Sequence, residues 1–218
     1  MKKMIFIVSL FVLCFQFSGF AQKSRVGFLA GPVFSNLRGT VDNVDLDGKT
    51  KTGFAAGFLV DAPIKGHISF QPALYYVQKG TITQEVEEPM IKDRKSTELR
   101  YVDLALNFVY NTNGAKSNFY IGAGPYVGFN LPSKFLTKSP NDLQSETDIT
   151  FGNTIAENYR GIDFGANAIT GYRFKSGVFI SANYSLGLRN LLPEGSLSTG
   201  DIKNTCFGVS LGWLVSNK

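Results

Sequence analysis

Histidine and cysteine are nearly missing from this chain of 218 residues, which has one histidine, His67, and two cysteines, Cys14 and Cys206. So few cannot assemble a Cys/His metal centre, and Asp42, Asp45 and Asp47 do not follow the spacing of a calcium loop. The same scarcity leaves a serine nucleophile short of a general base. A carboxylate base such as Asp163 beside Ser185 remains, and no spacing singles it out. The glycines form no phosphate loop ahead of a helix; they recur at every second position. No catalytic, cofactor-binding or metal-binding residue is expected, and the chain reads as a non-enzyme. Charge is scarce too, at 18%, while aromatic residues reach 13%, a balance that argues against disorder.

Long apolar runs are confined to the start of the chain. Residues 1–21, MKKMIFIVSLFVLCFQFSGFA, place Lys2 and Lys3 before an apolar run and the small residues Gly19 and Ala21 at its end. That is the pattern of a secretory signal peptide; Gln16, Ser18 and Gly19 interrupt the run before it is long enough for a spanning helix. Cys14, preceded by Leu13, belongs to the apolar centre of this segment. Removal of residues 1–21 would leave a single domain, 22–218, in which Cys206 has no disulfide partner. It would also leave 20 basic against 17 acidic residues, too mild an excess to imply nucleic acid. No later segment reaches 18 consecutive apolar residues, so insertion into a membrane requires a closed barrel.

What the chain does have is alternation. In 118–130, NFYIGAGPYVGFN, the set Phe119, Ile121, Ala123, Pro125, Val127 and Phe129 opposes Tyr120, Gly122, Gly124, Tyr126 and Gly128. Period two is a strand signal, and bulk on one side with glycine and tyrosine on the other inverts the arrangement of a water-soluble sandwich. Lipid outside and small or polar residues inside would account for it. The same test finds strands at 25–36, 52–62, 67–79, 100–110, 161–174, 178–190 and 204–215, making eight. The predicted fold is all-β, an eight-stranded antiparallel up-and-down transmembrane β-barrel. Connections alternate between short (63–66, 111–117 with Asn113-Gly114, 175–177) and long (36–51, 80–99, 131–160, 191–203), as in outer-membrane barrels with periplasmic turns and external loops. Pro32, Pro72 and Pro125 fall within strands and predict a bulge at each, because proline removes a ladder donor.

Charges follow the same map. Of the 17 acids, 14 lie in the long connections; the other three, Asp61, Asp103 and Asp163, all take inward positions. Basic residues face them from neighbouring strands, which predicts the pairs Arg25 with Asp61, Lys79 with Asp103 and Asp163 with Arg189, leaving Arg173 over. Eight strands leave an interior that side chains just fill, so these seven residues read as a polar plug of the lumen.

The segments VGFLAGPVFSNL, ISFQPALYYVQKG, NFYIGAGPYVGF, IDFGANAITGYRF and YSLGLRNL together resemble successive strands of the porin-like or PorT-like outer-membrane barrel family of Bacteroidota. Ala105 stands where members often carry proline, and the end WLVSNK departs from a terminal aromatic. The resemblance implies an eight-stranded barrel in the bacterial outer membrane with neither an established activity nor a proven pore. The expected function is a non-enzymatic barrel that displays its external loops as a scaffold or interaction protein. An accessory of a protein-secretion apparatus, a narrow channel and a lipid-modifying enzyme are the competing readings. Expected partners are membrane lipid and a protein reached through 36–51, 80–99, 131–160 or 191–203.

Overall fold

The computed structural model describes residues 24–46, 48–88, 91–113, 118–138, 144–194, 196 and 198–215, with backbone only for 84–88 and 91–93. The segment 1–21, the acids Asp47 and Asp142, Gly114 of the expected turn, and the side chains of Glu85, Glu87 and Glu88 lie outside the described residues.

Ten strands are present among the described residues: β1 (Arg25–Val41), β2 (Val44–Asp45), β3 (Lys49–Lys65), β4 (Ile68–Glu88), β5 (Ile91–Asn111), β6 (Asn118–Lys138), β7 (Gln144–Ile149), β8 (Ile162–Arg173), β9 (Val178–Gly187) and β10 (Gly200–Val215). Eight of them form an antiparallel ring in the order β1, β3, β4, β5, β6, β8, β9, β10, which closes where β10 pairs with β1. Closure leaves no edge at barrel height, the condition a sheet must meet in lipid. β2 folds back on β1 through a two-residue turn in which Asp42 and Asn43 both have positive φ, the geometry that Asp and Asn tolerate.

The alternation decides what faces where. Phe58, Phe119 and Leu211 are more than 60% exposed on the outer wall, whereas Tyr101 and Asp61 are fully buried in the lumen. Around the outer wall Phe28 meets Trp213, Phe70 meets Phe108 and Phe119 meets Tyr172 as ring pairs between adjacent strands.

Two expectations need correction. The three prolines make no bulge: the register between β1 and β10 is the same on both sides of Pro32, as it is between β3 and β4 around Pro72 and between β5 and β6 around Pro125. Pairing lapses for about two positions on one side of each and then resumes in step. Gly31 and Gly124 help, because a Cβ there would lie 2.0 and 1.9 Å from the facing carbonyl oxygens of Val209 and Leu106. Register shifts occur elsewhere, between Thr50 and Ala55, Pro63 and Lys65, Ile82 and Gln84, and Glu98 and Arg100.

The second correction concerns the long connections. Residues 80–88 and 91–99 are no loop but the paired upper arms of β4 and β5, and the start of 131–160 extends β6 and then pairs with β7. Gly80, with φ of +142°, lies just before the last β3–β4 pairs, Thr50 with Thr81 and Lys49 with Ile82; a Cβ there would sit 2.0 Å from the Thr97 carbonyl oxygen. A four-stranded sheet, β4–β5–β6–β7, therefore continues past the barrel on its long-connection end.

Candidate functional site

The inward charges assemble into two separate groups at different heights. Near the short-turn end, Asp61 of β3 receives Arg25 of β1 at 2.7 Å and Arg173 of β8 at 3.2 Å. The Arg173 guanidinium also lies over the Tyr120 ring at 5.6 Å. Arg173, which the sequence left without a partner, thus shares an acid with Arg25 from across the barrel.

The upper group centres on Lys79 of β4. Its Nζ lies 2.8 Å from Asp103 on the neighbouring strand β5 and 3.4 Å from Asp163 on the far strand β8. The rings of Tyr101 and Tyr126 stand 4.9 and 4.7 Å from the same nitrogen. Asp163 accepts further hydrogen bonds from the Tyr126 hydroxyl at 3.0 Å and from Asn204 Nδ2 at 2.8 Å. A cation between two carboxylates and two aromatic faces answers the desolvation of all three charges. Gly128 makes room, since a Cβ there would be 2.4 Å from Asp103 Oδ1.

Arg189 does not reach Asp163. The Phe164 carbonyl accepts from both the Leu188 and the Arg189 N–H, so just beyond the end of β9 two residues oppose a single residue of β8. Such a bulge reverses the alternation, and the Arg189 guanidinium lies over the Phe164 ring at 5.9 Å on the outer wall. Arg189→Gln is accordingly expected to change unfolding stability by less than about 0.5 kcal/mol, the usual range for a surface site. Arg173→Gln, which leaves Asp61 with Arg25 alone, should cost clearly more in the same denaturant titration in detergent micelles.

Between the two groups the lumen is filled. Leu29, Leu59, Ala73, Phe179 and Leu214 pack together, and a polar chain runs from Ser185 Oγ to Asn167 Oδ1 (2.9 Å) and from Asn167 Nδ2 to Asn107 Oδ1 (3.1 Å). Ser185 is therefore engaged with Asn167. A cavity of about 50 Å³ lies among these residues, lined by Leu29, Gln71, Tyr75, Asn107, Asn167 and Cys206 among others. That is room for a few waters. An apolar cluster surrounds this level, with Val33 and Val77 below Lys79 and Leu37, Leu99, Ile149, Leu191 and Ile202 beside and above it, and Phe135, Phe151 and Tyr159 packed against it as a roof.

His67 sits at the short-turn end, its Nδ1 donating to the Asn111 carbonyl at 2.6 Å and its ring beside Tyr110. At the opposite end Asp42 joins β1 to the β9–β10 connection, accepting from the Thr199 N–H at 2.8 Å. That bond and the Ser198 hydroxyl hold its carboxyl below the usual carboxylate range. Among the described residues no three His, Cys, Asp or Glu side chains group as metal ligands would.

The residues that sequence reasoning missed are Tyr101, Tyr126 and Asn204 around Lys79, and the apolar roof. Tyr101, Tyr126 and Asn204 fall on inward positions, but alternation carries no information about height across the lumen; the roof residues lie in segments expected to be external connections, where no alternation marks them.

The model of a family described as outer membrane protein beta-barrel domain matches residues 20–192 of the chain. No curated protein matches. Among solved structures, Ail of Yersinia pestis, crystallised with the heparin analogue sucrose octasulfate, is 15% identical, with 89% of this chain and 100% of that one covered and a TM-score of 0.43. OprG of Pseudomonas aeruginosa is 10% identical over 89% and 98%, with a TM-score of 0.45, and Neisserial surface protein A is 10% identical over 86% and 96%, with a TM-score of 0.41. With most of its length matched by that one model, and the ring closed, this chain belongs to the outer membrane protein β-barrel domain family.

Proposed function

We propose that this protein is a non-enzymatic display barrel, of the porin-like or PorT-like kind, whose external sheet holds a protein partner at the cell surface. In this reading residues 1–21 direct export and are removed, and 22–218 form the mature domain. The observation that carries it is the sheet β4–β5–β6–β7. It extends beyond the barrel and ends on β7, which pairs only with β6 among the described residues. A free strand edge on a rigid support is a recognised mode of peptide capture. Glu146 and Asp148 on β7 are the kind of charges that keep such an edge from pairing indiscriminately. The filled lumen and its apolar roof weigh against the channel reading.

The test is a photo-crosslinking amino acid placed at Ser145 or Thr147 in intact cells, with Asp45 on β2 as the control position. A single protein adduct is expected from β7 and none from β2. Absence of any adduct at both β7 positions, together with ion conductance in planar bilayers, would replace display by transport. Copurification of the adduct with a stable multiprotein complex would convert the display role into that of a secretion accessory.

A further inference from the structure

Near the external end, the ladder that closes the barrel contains a pairing that sheets ordinarily avoid. Arg38 of β1 and Lys203 of β10 stand directly opposite each other. Both lie on the outward face, in step with Phe34 and Phe207. Like charges directly opposite destabilise a strand pair. Arg189 adds a third cation from the adjoining strand end: its bulge turns it outward over Phe164, and the chain just beyond it remains bonded to β10 through the Leu191 N–H and the Ile202 carbonyl. Lys203 is bonded to Asp201. Among the described residues neither Arg38 nor Arg189 has a carboxylate within salt-bridge distance.

What lies below the cations on the same ladder is ordered. Asn36 faces Thr205, and one step further in Phe34 faces Phe207, their rings stacked at 6.4 Å. These rings are 39% and 42% exposed, on the wall that meets lipid. The Asn36 amide is taken up by the Gly48 carbonyl and the Thr81 hydroxyl, so descending from the rim the surface presents cations and then flat apolar rings. A membrane lipid presents an anionic head and then an acyl chain in the same order. We propose that Arg38, Lys203 and Arg189 bind the phosphate-bearing headgroup of an outer-leaflet lipid, with an acyl chain of that lipid lying across Phe34 and Phe207. The anion then gives Arg38 and Arg189 the counter-charge that Lys203 already draws from Asp201.

The purified barrel in neutral detergent is titrated with lipid A, an acylated disaccharide carrying two phosphates, and with its dephosphorylated form, and bound lipid is read by native mass spectrometry. Lipid A is expected to bind the parent and to bind Arg38→Gln/Lys203→Gln roughly thirtyfold more weakly, from two charges near the headgroup plane. Arg38→Lys/Lys203→Arg should retain binding, and Lys65→Gln/Lys175→Gln at the opposite rim should leave it unchanged. Arg189→Gln, which leaves the closing ladder intact, should weaken it about fivefold and keeps the idea testable if the double variant does not fold. Equal weakening by the Lys65/Lys175 pair, or equal binding of the dephosphorylated lipid, would overturn the proposal. Displacement of lipid A by inorganic phosphate would assign the cluster to a free anion instead and overturn it too.

Discussion

Lys79→Met is expected to destabilise the barrel by about 3–5 kcal/mol, the range for removing one partner of a buried ion pair. The side chains of Lys79 and Asp103 are each 1% exposed and that of Asp163 is fully buried, so the change leaves two carboxylates facing one another without water. Methionine fills nearly the same space and can still lie between Tyr101 and Tyr126, so the loss reports charge rather than a cavity. The companion variant makes this separable. Adding Asp103→Asn and Asp163→Asn to Lys79→Met removes the stranded charges, and most of the lost stability should return, because a neutral, hydrogen-bonded core of similar volume is often as stable as a buried ion group. Urea unfolding of the refolded protein in detergent micelles, followed by far-ultraviolet circular dichroism, measures both. A Lys79→Met midpoint indistinguishable from the parent would mean that the carboxylates are hydrated in solution and that the lumen is wetter than its packing indicates.

Leu211→Arg is the second large effect, at about 2–4 kcal/mol. Leu211 lies midway along the outer face of β10, opposite Ala30 on one side and Ile180 on the other, and is 61% exposed. In water, arginine at such an exposed site would be tolerated or would improve solubility. In a bilayer the guanidinium must be drawn toward an interface across apolar surface, and the strand is destabilised by that cost. Lys203→Arg, higher on the same face, should be nearly neutral, because that position already carries a cation close to the interface, where the penalty is small. Unfolding in phospholipid vesicles, compared between the two sites, gives the answer. Equal effects at both would be incompatible with Leu211 facing the hydrocarbon.

The eight wall strands were legible because lipid imposes one rule along their whole length: every second side chain must be apolar. Where that rule ends, so does the signal. β4 was readable as far as Lys79 and in fact continues to Glu88, since beyond the membrane its outward positions no longer need to be apolar and Thr81, Ile82 and Thr83 carry no clear period. β7, with the sequence QSETDI, has no alternating apolar face and is held by pairing with β6 and by the one buried side chain of Ile149 at its end. The proline bulges failed for a related reason. A missing N–H opens a short gap in one ladder, but the other neighbour remains paired, and a closed ring resists any change of register that would displace all the strands after it.

The lumen charges divide in the same way. That Asp61, Asp103 and Asp163 point inward follows from counting residues along each strand, which is local backbone geometry. That Lys79 meets Asp163, and Arg173 meets Asp61, depends on how far each strand is staggered against the next around the ring. That Arg189 leaves the group depends on one extra residue between Phe164 and its partners on the next strand. The sequence by itself determined location, strand alternation and the inward placement of most of the charges, because side-chain direction in a strand is set two residues at a time. Only the closed tertiary structure decided which of those charges share a height, since stagger is a property of the whole ring and of no single strand.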